Sequence, residues 1–279
     1  MITLPASIRV VNKSELIDAL HIDNQYAHAT ISLWGAHILS YAPKHDGRER
    51  LFLSEKVLFD GSKSIRGGIP VCWPWFGSRD DELQAHGYVR TQPWQLLSAT
   101  DETDYTELML SPETTQGAGF DGIAELRLTI RIGKTMHVSL STKNVGEETF
   151  TYNAALHSYF AVDDIYHTEL KGLSGIYSDK PLNWAEFETP SPYLFTSETD
   201  RVHLNPVEKV SINQSNVSTV IQSYGHDSLV VWNPWSEIAT SMIDMDNDGY
   251  QKMLCVETAV TQGVTVNPQQ THTLLQVIS

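Results

Sequence analysis

Two ionisable side chains occur in strand-like segments that are otherwise apolar. His157 lies in ALHSYFAV, where a strand would place it on one face with Ala155 and Tyr159. Glu257 lies in MLCVETAV, on the same face as Cys255. A histidine and a desolvated glutamate can supply the acid and the base for general acid–base chemistry near neutral pH. The alternatives are structural: a histidine hydrogen-bonded to backbone, or a glutamate in a buried ion pair. Their separation in sequence does not decide between these hypotheses.

Two arginines form a second candidate pair. Arg66 lies in the apolar, glycine- and proline-rich stretch SIRGGIPVCWPWFG, and Arg90 ends the motif AHGYVR. A guanidinium group binds carboxylate, phosphate and vicinal hydroxyls better than an ammonium group does. The alternative for each arginine is a salt bridge to Asp60 or Asp80. The two glycines after Arg66 allow the backbone to turn tightly.

Two acidic segments also invite a functional interpretation. Asp200, in TDRVHL, can accept hydrogen bonds from sugar hydroxyls or simply cap a turn. DMDNDG begins like a calcium loop, but the twelfth position counted from Asp244 is Cys255 instead of a bidentate glutamate. We therefore interpret this segment as an acidic hairpin turn. No other group of His, Cys and Asp has the sequence spacing of metal ligands.

The elements that must position these residues are mainly strands. In AELRLTIRIG, apolar and polar residues alternate, and TMHVSLSTKN continues the pattern after a short Gly-Lys turn, which predicts a β-hairpin. The segment TYNAALHSYFAV, which contains His157, predicts one further strand. Helical signals are weak; KSELIDAL predicts one or two turns, with Ser14 as a cap. We expect one mostly antiparallel β domain over residues 1–279, built as two packed sheets.

Composition limits the possible partners. The 279 residues carry a formal net charge of −15, without basic runs, which argues against nucleic acid and anionic membranes. No apolar stretch is long enough to cross a membrane. The sequence starts without the features of a signal peptide, and its two cysteines lie in apolar stretches. We therefore expect reduced thiols and a cytoplasmic location.

Several motifs together resemble a known family. They run in the order LWGAHILSYAP, DGSKSIRGGIPVCWPWFG, HGYVRTQPWQL, LHSYFAVDDI, TDRVHL, VVWNPW and MLCVETAVTQGVTVNP. This ordered set resembles the aldose 1-epimerase (galactose mutarotase) superfamily, and within it the glucose-6-phosphate 1-epimerase branch, also called hexose-6-phosphate mutarotase. RGGIPVCWPWFG and WNPW are the distinctive members. The segment from Tyr177 to Thr199 matches little, so loops there can alter substrate choice.

The resemblance implies an all-β fold, a galactose-mutarotase-like β-supersandwich of large twisted antiparallel sheets with few short helices. It implies neither a metal nor an organic cofactor. By motif, His157 and Glu257 fall on the catalytic positions of the family. The residues predicted to bind substrate are Arg66, Arg90, Asp200 and His86.

The expected function is therefore interconversion of the α and β anomers of a hexose 6-phosphate by a monomer. Two alternatives remain open on sequence grounds. One is an aldose 1-epimerase acting on unphosphorylated sugars. The other is a non-catalytic carbohydrate-binding β-sandwich, which needs no desolvated glutamate facing a histidine.

Overall fold

The computed structural model of the protein describes residues 2–79, 82–205, 207–215 and 217–279. Strands dominate these residues and form three antiparallel sheets, so the prediction of two sheets was wrong. In chain order the strands are β1 Ile8–Asn12, β2 Asp18–Asp23, β3 Ala27–Ser32, β4 Ile38–Pro43, β5 Val71–Cys72, β6 Trp94–Asp101, β7 Tyr105–Pro112, β8 Ala124–Gly133, β9 Met136–Asn144, β10 Phe150–Leu156, β11 Tyr159–Ala161, β12 Glu169–Lys171, β13 Ile176–Asp179, β14 Ala185–Glu188, β15 Thr199–His203, β16 Lys209–Asn213, β17 Ser218–Tyr224, β18 Ser228–Asn233, β19 Met253–Val266 and β20 Thr271–Ile278.

Helices are short in the described part of the chain. One α-helix, α1, spans Trp235–Ser241, and single 3₁₀ turns span Val89–Thr91, Ile165–His167 and Gly249–Lys252. None of the helices in the described residues is long and apolar enough to span a membrane. The predicted all-β class with few short helices is confirmed.

The sheets divide the chain unequally. The first contains β1 to β4 in sequence order. The second has the order β14-β13-β15-β18-β19-β10-β5, with β11 also paired to β19. The third has the order β12-β16-β17-β20-β9-β8-β7-β6. One contiguous cluster of buried apolar side chains draws residues from all three sheets, so the sheets share a hydrophobic core.

Alternation of apolar and polar residues explains the third sheet. Along β8 the buried residues are those predicted, and the Leu128–Leu140 and Ile130–Val138 pairs link it to β9. Burying every second side chain against the core leaves the other face half-buried or exposed. The predicted hairpin between these two strands is confirmed.

Three local predictions were wrong. KSELIDAL is not helical: it bends and then enters β2, whose pairing with β1 and β3 outweighs its weak helical propensity. DMDNDG is not a hairpin turn, because it connects α1 to the last 3₁₀ turn. The strand predicted through His157 is broken into β10 and β11, with His157 and Ser158 between them.

Candidate active site

A cavity of about 740 Å³ opens beside the second sheet, lined by side chains of β15, β18 and β19 and of the loops before β5 and β6. All six residues predicted for the site line this cavity, although the sequence scatters them over nearly two hundred positions. They are His157, Glu257, Arg66, Arg90, Asp200 and His86.

His157 and Glu257 face each other in the cavity. Glu257 lies within β19, opposite Val230 of the neighbouring β18. His157 lies where the strand breaks, and its backbone N–H donates to the carbonyl of Pro70 at 3.0 Å. Nδ1 of His157 lies 3.3 Å from Oε1 of Glu257. The break turns the imidazole towards the glutamate, so the fold supplies the pairing that sequence could not predict.

Each side chain of this pair is buried and has a polar atom without a hydrogen-bond partner among the described residues. Glu257 is 1% exposed and His157 9%. Within the described structure, Nδ1 of His157 and Oε2 of Glu257 are buried and have no hydrogen-bond partner. Buried polar atoms normally have partners, and a catalytic role is one explanation for a pair of buried ionisable groups that lacks them. The two structural alternatives, a satisfied histidine and a glutamate paired to an arginine, therefore do not fit.

Burial also sets the proton affinities of the pair. It raises the pKa of Glu257 well above its usual value, and the nearby charge of Asp200 adds to the shift. It lowers the pKa of His157 well below its usual value, assisted by His86 and by the positive charges of Arg90 and Arg66. At neutral pH these directions favour an uncharged pair: a carboxylic acid beside a neutral imidazole.

Aromatic rings fix the orientation of His157. Its ring stacks on Tyr159 with centroids 5.0 Å apart and an interplanar angle of 10°. Trp232 and His86 contact it edge-on, at 6.1 Å and 5.5 Å. Three rings from three segments therefore hold the imidazole in one orientation relative to Glu257.

Arg66 is held in place by two groups. Its Nη1 donates to the Tyr159 hydroxyl at 3.0 Å, and its Nε lies 3.4 Å from Oδ1 of Asp244. The predicted alternative, a salt bridge to Asp60, is wrong, because the carboxylate of Asp60 accepts hydrogen bonds from Ser62 instead. Asp80, the other suggested partner, lies outside the described residues. The guanidinium thus has a carboxylate neighbour, but one supplied by the DMDNDG segment.

The glycines after Arg66 have the backbone role that the sequence indicated. Gly67 and Gly68 have φ values of 109° and 61°. A Cβ on Gly68 would approach the carbonyl oxygen of Ile38 to 2.1 Å. Only glycine accommodates this close turn, which carries Arg66 to the cavity wall.

Arg90 has no carboxylate partner among the described residues. Its Nη2 donates to the carbonyl of Ala85 at 2.8 Å, while its buried Nε has no hydrogen-bond partner within the same described set. An arginine that lines a cavity without a counter-charge is suited to bind an anionic ligand. Arg90 therefore does not form the salt bridge to Asp60 that was its structural alternative.

Asp200 and His86 occupy other parts of the wall. The Asp200 carboxylate lies 2.8 Å from Nζ of Lys180, so it is an ion pair and not merely a turn cap. Nδ1 of His86 accepts a hydrogen bond from the backbone N–H of Gly77 at 3.3 Å. Burial, followed by the charge of Arg90, lowers the pKa of His86 to about 3. The neutral ring therefore carries its proton on Nε2, a donor for a ligand.

Sequence reasoning missed several residues of the cavity wall. Lys63, Lys180, Trp184 and Trp232 line it, and the buried Asp244 lies behind Arg66. The only sequence signal for Asp244 was its place in an acidic segment, and comparison with a calcium loop could not reveal its arginine partner. The lysines carried no signal, because exposed lysines are common.

Comparison with known proteins shows what the chain is similar to. The sequence model of the aldose 1-epimerase family matches residues 18–279. A protein of Escherichia coli K12 named "Putative glucose-6-phosphate 1-epimerase" is 37% identical over 265 residues, covering 91% of this chain and 87% of that protein. One of the same name from Cenchrus ciliaris is 33% identical, over 86% and 77% of the two chains.

Solved structures agree with the sequence matches. The crystal structure titled as a "putative mutarotase" from Salmonella typhimurium superimposes with a TM-score of 0.92 at 29% identity, covering 100% of this chain and 95% of that one. These matches confirm the predicted galactose-mutarotase-like fold and an isomerase of the epimerase type. By the extent of the family match and the identity to its relatives, the chain belongs to the aldose 1-epimerase family.

Proposed function

We propose that this protein interconverts the α and β anomers of a hexose 6-phosphate, with glucose 6-phosphate as the preferred substrate. The observation that carries the proposal is the His157–Glu257 pair, 3.3 Å apart in a cavity that also contains an arginine without a carboxylate partner among the described residues. The names of the relatives, which specify glucose 6-phosphate, support the same substrate.

The reaction needs one base and one acid. Glu257, as the carboxylate, removes the proton of the C1 hydroxyl while His157, as the imidazolium, donates its proton to the ring oxygen O5. The C1–O5 bond breaks, and the open aldehyde rotates about the C1–C2 bond. Ring closure on the other face reverses both proton transfers. At the end of the cycle each group has regained its starting protonation state.

The resting pair contains the proton that this mechanism needs. A carboxylic acid beside a neutral imidazole has the same number of protons as a carboxylate beside an imidazolium, so one proton transfer interconverts the two forms. The charges of Arg90 and Arg66 disfavour the imidazolium in the free protein. A phosphate dianion close to these arginines would offset their field and favour the charged, reactive form. Phosphorylated substrates should therefore be turned over faster than neutral sugars.

The cavity wall supports binding of the rest of the substrate. Arg90 is the group best placed to bind phosphate, since Arg66 is already engaged by Asp244 and Tyr159. Asp200 can accept hydrogen bonds from sugar hydroxyls, and Nε2 of His86 can donate one. Both arginines were predicted to bind substrate, and this assignment gives Arg66 a mainly structural role.

We also propose that the protein acts as a cytoplasmic monomer. The cavity of a single chain already contains the proposed acid–base pair and Arg90, so the proposed mechanism does not require a second copy. Cys72 and Cys255 are free and buried, which is typical of a reducing compartment.

Side-by-side turnover of glucose 6-phosphate and glucose tests the proposal. We expect kcat/KM for glucose 6-phosphate to exceed that for glucose by at least about 10-fold, the value of one charge-assisted phosphate contact. Equal values would identify an epimerase for unphosphorylated sugars. Tight binding of either sugar without faster anomerisation would identify a carbohydrate-binding protein.

A further inference from the structure

A third ligand-type side chain lies beside the catalytic pair. The side chains of His157, Cys255 and Glu257 each offer one ligand atom, and these atoms all lie within 4.8 Å of one another. All three residues are buried. The sequence analysis found no metal-ligand spacing here, because His157 comes from a different strand segment and only the fold brings it to β19.

The geometry fits a tetrahedral cation. Zinc bonds of about 2.0–2.2 Å to nitrogen and oxygen and about 2.3 Å to sulfur imply ligand–ligand separations of roughly 3.3–3.6 Å. Nδ1 of His157 and Oε1 of Glu257 are already 3.3 Å apart, without a hydrogen bond between them. The Cys255 sulfur would have to close by on the order of 1 Å at most, within reach of a side-chain rotation.

We propose that His157, Cys255 and Glu257 form an inhibitory site for a thiophilic divalent cation, such as Zn²⁺ or Cd²⁺. Nδ1 of His157 is buried and has no hydrogen-bond partner among the described residues, so a cation held between it and the Glu257 carboxylate would satisfy it. The Cys255 thiol would release its proton to solvent on binding, and water from the cavity would be the fourth ligand. The cation would occupy both catalytic groups, so anomerisation would stop. This site is not part of the proposed catalytic cycle, in which Cys255 has no role.

Cadmium titration of the purified protein tests the site directly. Binding of Cd²⁺ to a thiolate produces an ultraviolet charge-transfer band, which reports the metal without reference to activity. We expect one equivalent of Cd²⁺ to generate this band in the wild-type protein and to inhibit anomerisation, with a chelator reversing both effects. Cys255→Ser should retain basal activity, lose the band, and require at least about 10-fold more Cd²⁺ for inhibition.

Two further variants make the result decisive. Cys72→Ser removes the other buried free thiol and should behave like the wild type. Glu257→Gln, tested for binding only, should weaken Cd²⁺ binding at least about 10-fold while keeping the thiolate. A band that survives in Cys255→Ser, or that disappears in Cys72→Ser, would overturn the inference. So would inhibition that is equally strong in Cys255→Ser and the wild type. None of these outcomes bears on whether the protein anomerises sugar phosphates.

A second, independent observation concerns the turn between β13 and β14. Trp184 lines the cavity yet is 56% exposed, and it contacts no other aromatic ring among the described residues. Its φ is 63° and that of Asn183 is 55°, a left-handed pair without glycine. Backbone strain of this kind is kept where the surrounding structure and function require it. The turn belongs to the segment that shares little with the family motifs, so no family role covers it.

The geometry points to Trp184 as a specificity-determining residue that stacks on the apolar face of the bound sugar. An indole offers a large flat surface for the C–H groups of a pyranose ring, and Trp184 lines the cavity while remaining 56% exposed. The turn is fixed at its base, where Lys180 N–H donates to the carbonyl of Asp200 and its ammonium group pairs with the Asp200 side chain. This inference rests on the proposed function, since it assigns a binding contact for the same substrate.

Steady-state kinetics of Trp184 variants test the stacking role. Trp184→Ala should raise KM for glucose 6-phosphate at least about 5-fold with little change in kcat, and Trp184→Phe should restore most of the affinity. Leu182→Ala, an exposed apolar residue of the same turn that does not line the cavity, is the matched control. An unchanged KM in Trp184→Ala, or an equal rise in Leu182→Ala, would overturn the assignment. In either case activity of the wild type would leave the proposed function standing.

Discussion

Replacing Glu257 with glutamine removes the proposed base while preserving the shape of the side chain. A positioned acid or base contributes about 10²–10⁴-fold to rate, so kcat should fall by that factor, about 3–5 kcal/mol in activation free energy. Rescue within the cavity is limited, because Asp200, the other carboxylate among its described lining residues, is held by Lys180 at 2.8 Å. Anomerisation of freshly dissolved α-glucose 6-phosphate, followed by polarimetry, measures the loss.

The fold should survive this change. Burial disfavours the charged carboxylate, so a neutral amide of nearly the same volume should leave the free energy of unfolding within about 1 kcal/mol of wild type. Glu49→Gln is the matched control: burial also raises the pKa of Glu49, but that carboxylate accepts backbone hydrogen bonds from Tyr41 and Leu51 away from the cavity. A folded Glu257→Gln protein that keeps more than about one tenth of wild-type kcat would refute the acid–base assignment.

Three other outcomes follow from the site and the core. Arg90→Gln should raise the KM for glucose 6-phosphate about 10–100-fold and the KM for glucose far less. Arg127→Gln, the control at an exposed residue of β8, should change neither KM value. His157→Gln should lower kcat as far as Glu257→Gln does. The double variant should have a kcat only slightly below that of either single variant, because the two groups act as a unit. Additive losses of activation free energy in the double variant would contradict this. Burial, followed by the charge of Arg201, lowers the pKa of His203 to about 4. The folded protein therefore favours the neutral form of His203, and the contribution of His203 to the free energy of unfolding falls as pH drops from about 6.5 towards 4. Between pH 7 and pH 5, the free energy of unfolding from urea denaturation should fall by about 2 kcal/mol less for His203→Gln than for the wild type. An equal fall in both proteins would argue against a neutral buried His203.

The sequence pattern predicted the strands in which apolar and polar residues alternate. Strict alternation identified β8 and β9, because one face of each strand packs on the core and the other does not. The helix expected around Ser14 did not form, because β2 pairs along its whole length with strands on both sides. Propensity in a short segment is weaker than two ladders of backbone hydrogen bonds.

The candidate site was predictable in its members but not in its geometry. Polar residues on apolar strands singled out His157 and Glu257, guanidinium chemistry singled out Arg66 and Arg90, and the family resemblance assigned them roles. Their contact depends on a strand break in which His157 and Tyr159 donate backbone hydrogen bonds to the Pro70 and Gly68 carbonyls of the loop before β5. Such long-range partners leave no trace in the spacing of the residues concerned.

The partner of Arg66 also could not be predicted from the sequence. Its carboxylate partner, Asp244, is nearly two hundred positions away and lies in a segment that resembled a calcium loop. Lys63 lies 3.4 Å from the same carboxylate, so the segment serves as a buried counter-charge for two cations. Only the folded arrangement distinguishes this role from that of a solvated turn.

Equilibrium exchange NMR of glucose 6-phosphate measures anomerisation without a coupling enzyme, because it follows the anomeric protons of both forms. In the presence of the protein we expect exchange cross-peaks between the α and β anomers at rates far above the spontaneous reaction, and faster exchange for glucose 6-phosphate than for glucose at equal concentration. If glucose 6-phosphate exchanges no faster than in buffer alone, with protein that is folded and binds the sugar, the protein is not an epimerase for this substrate.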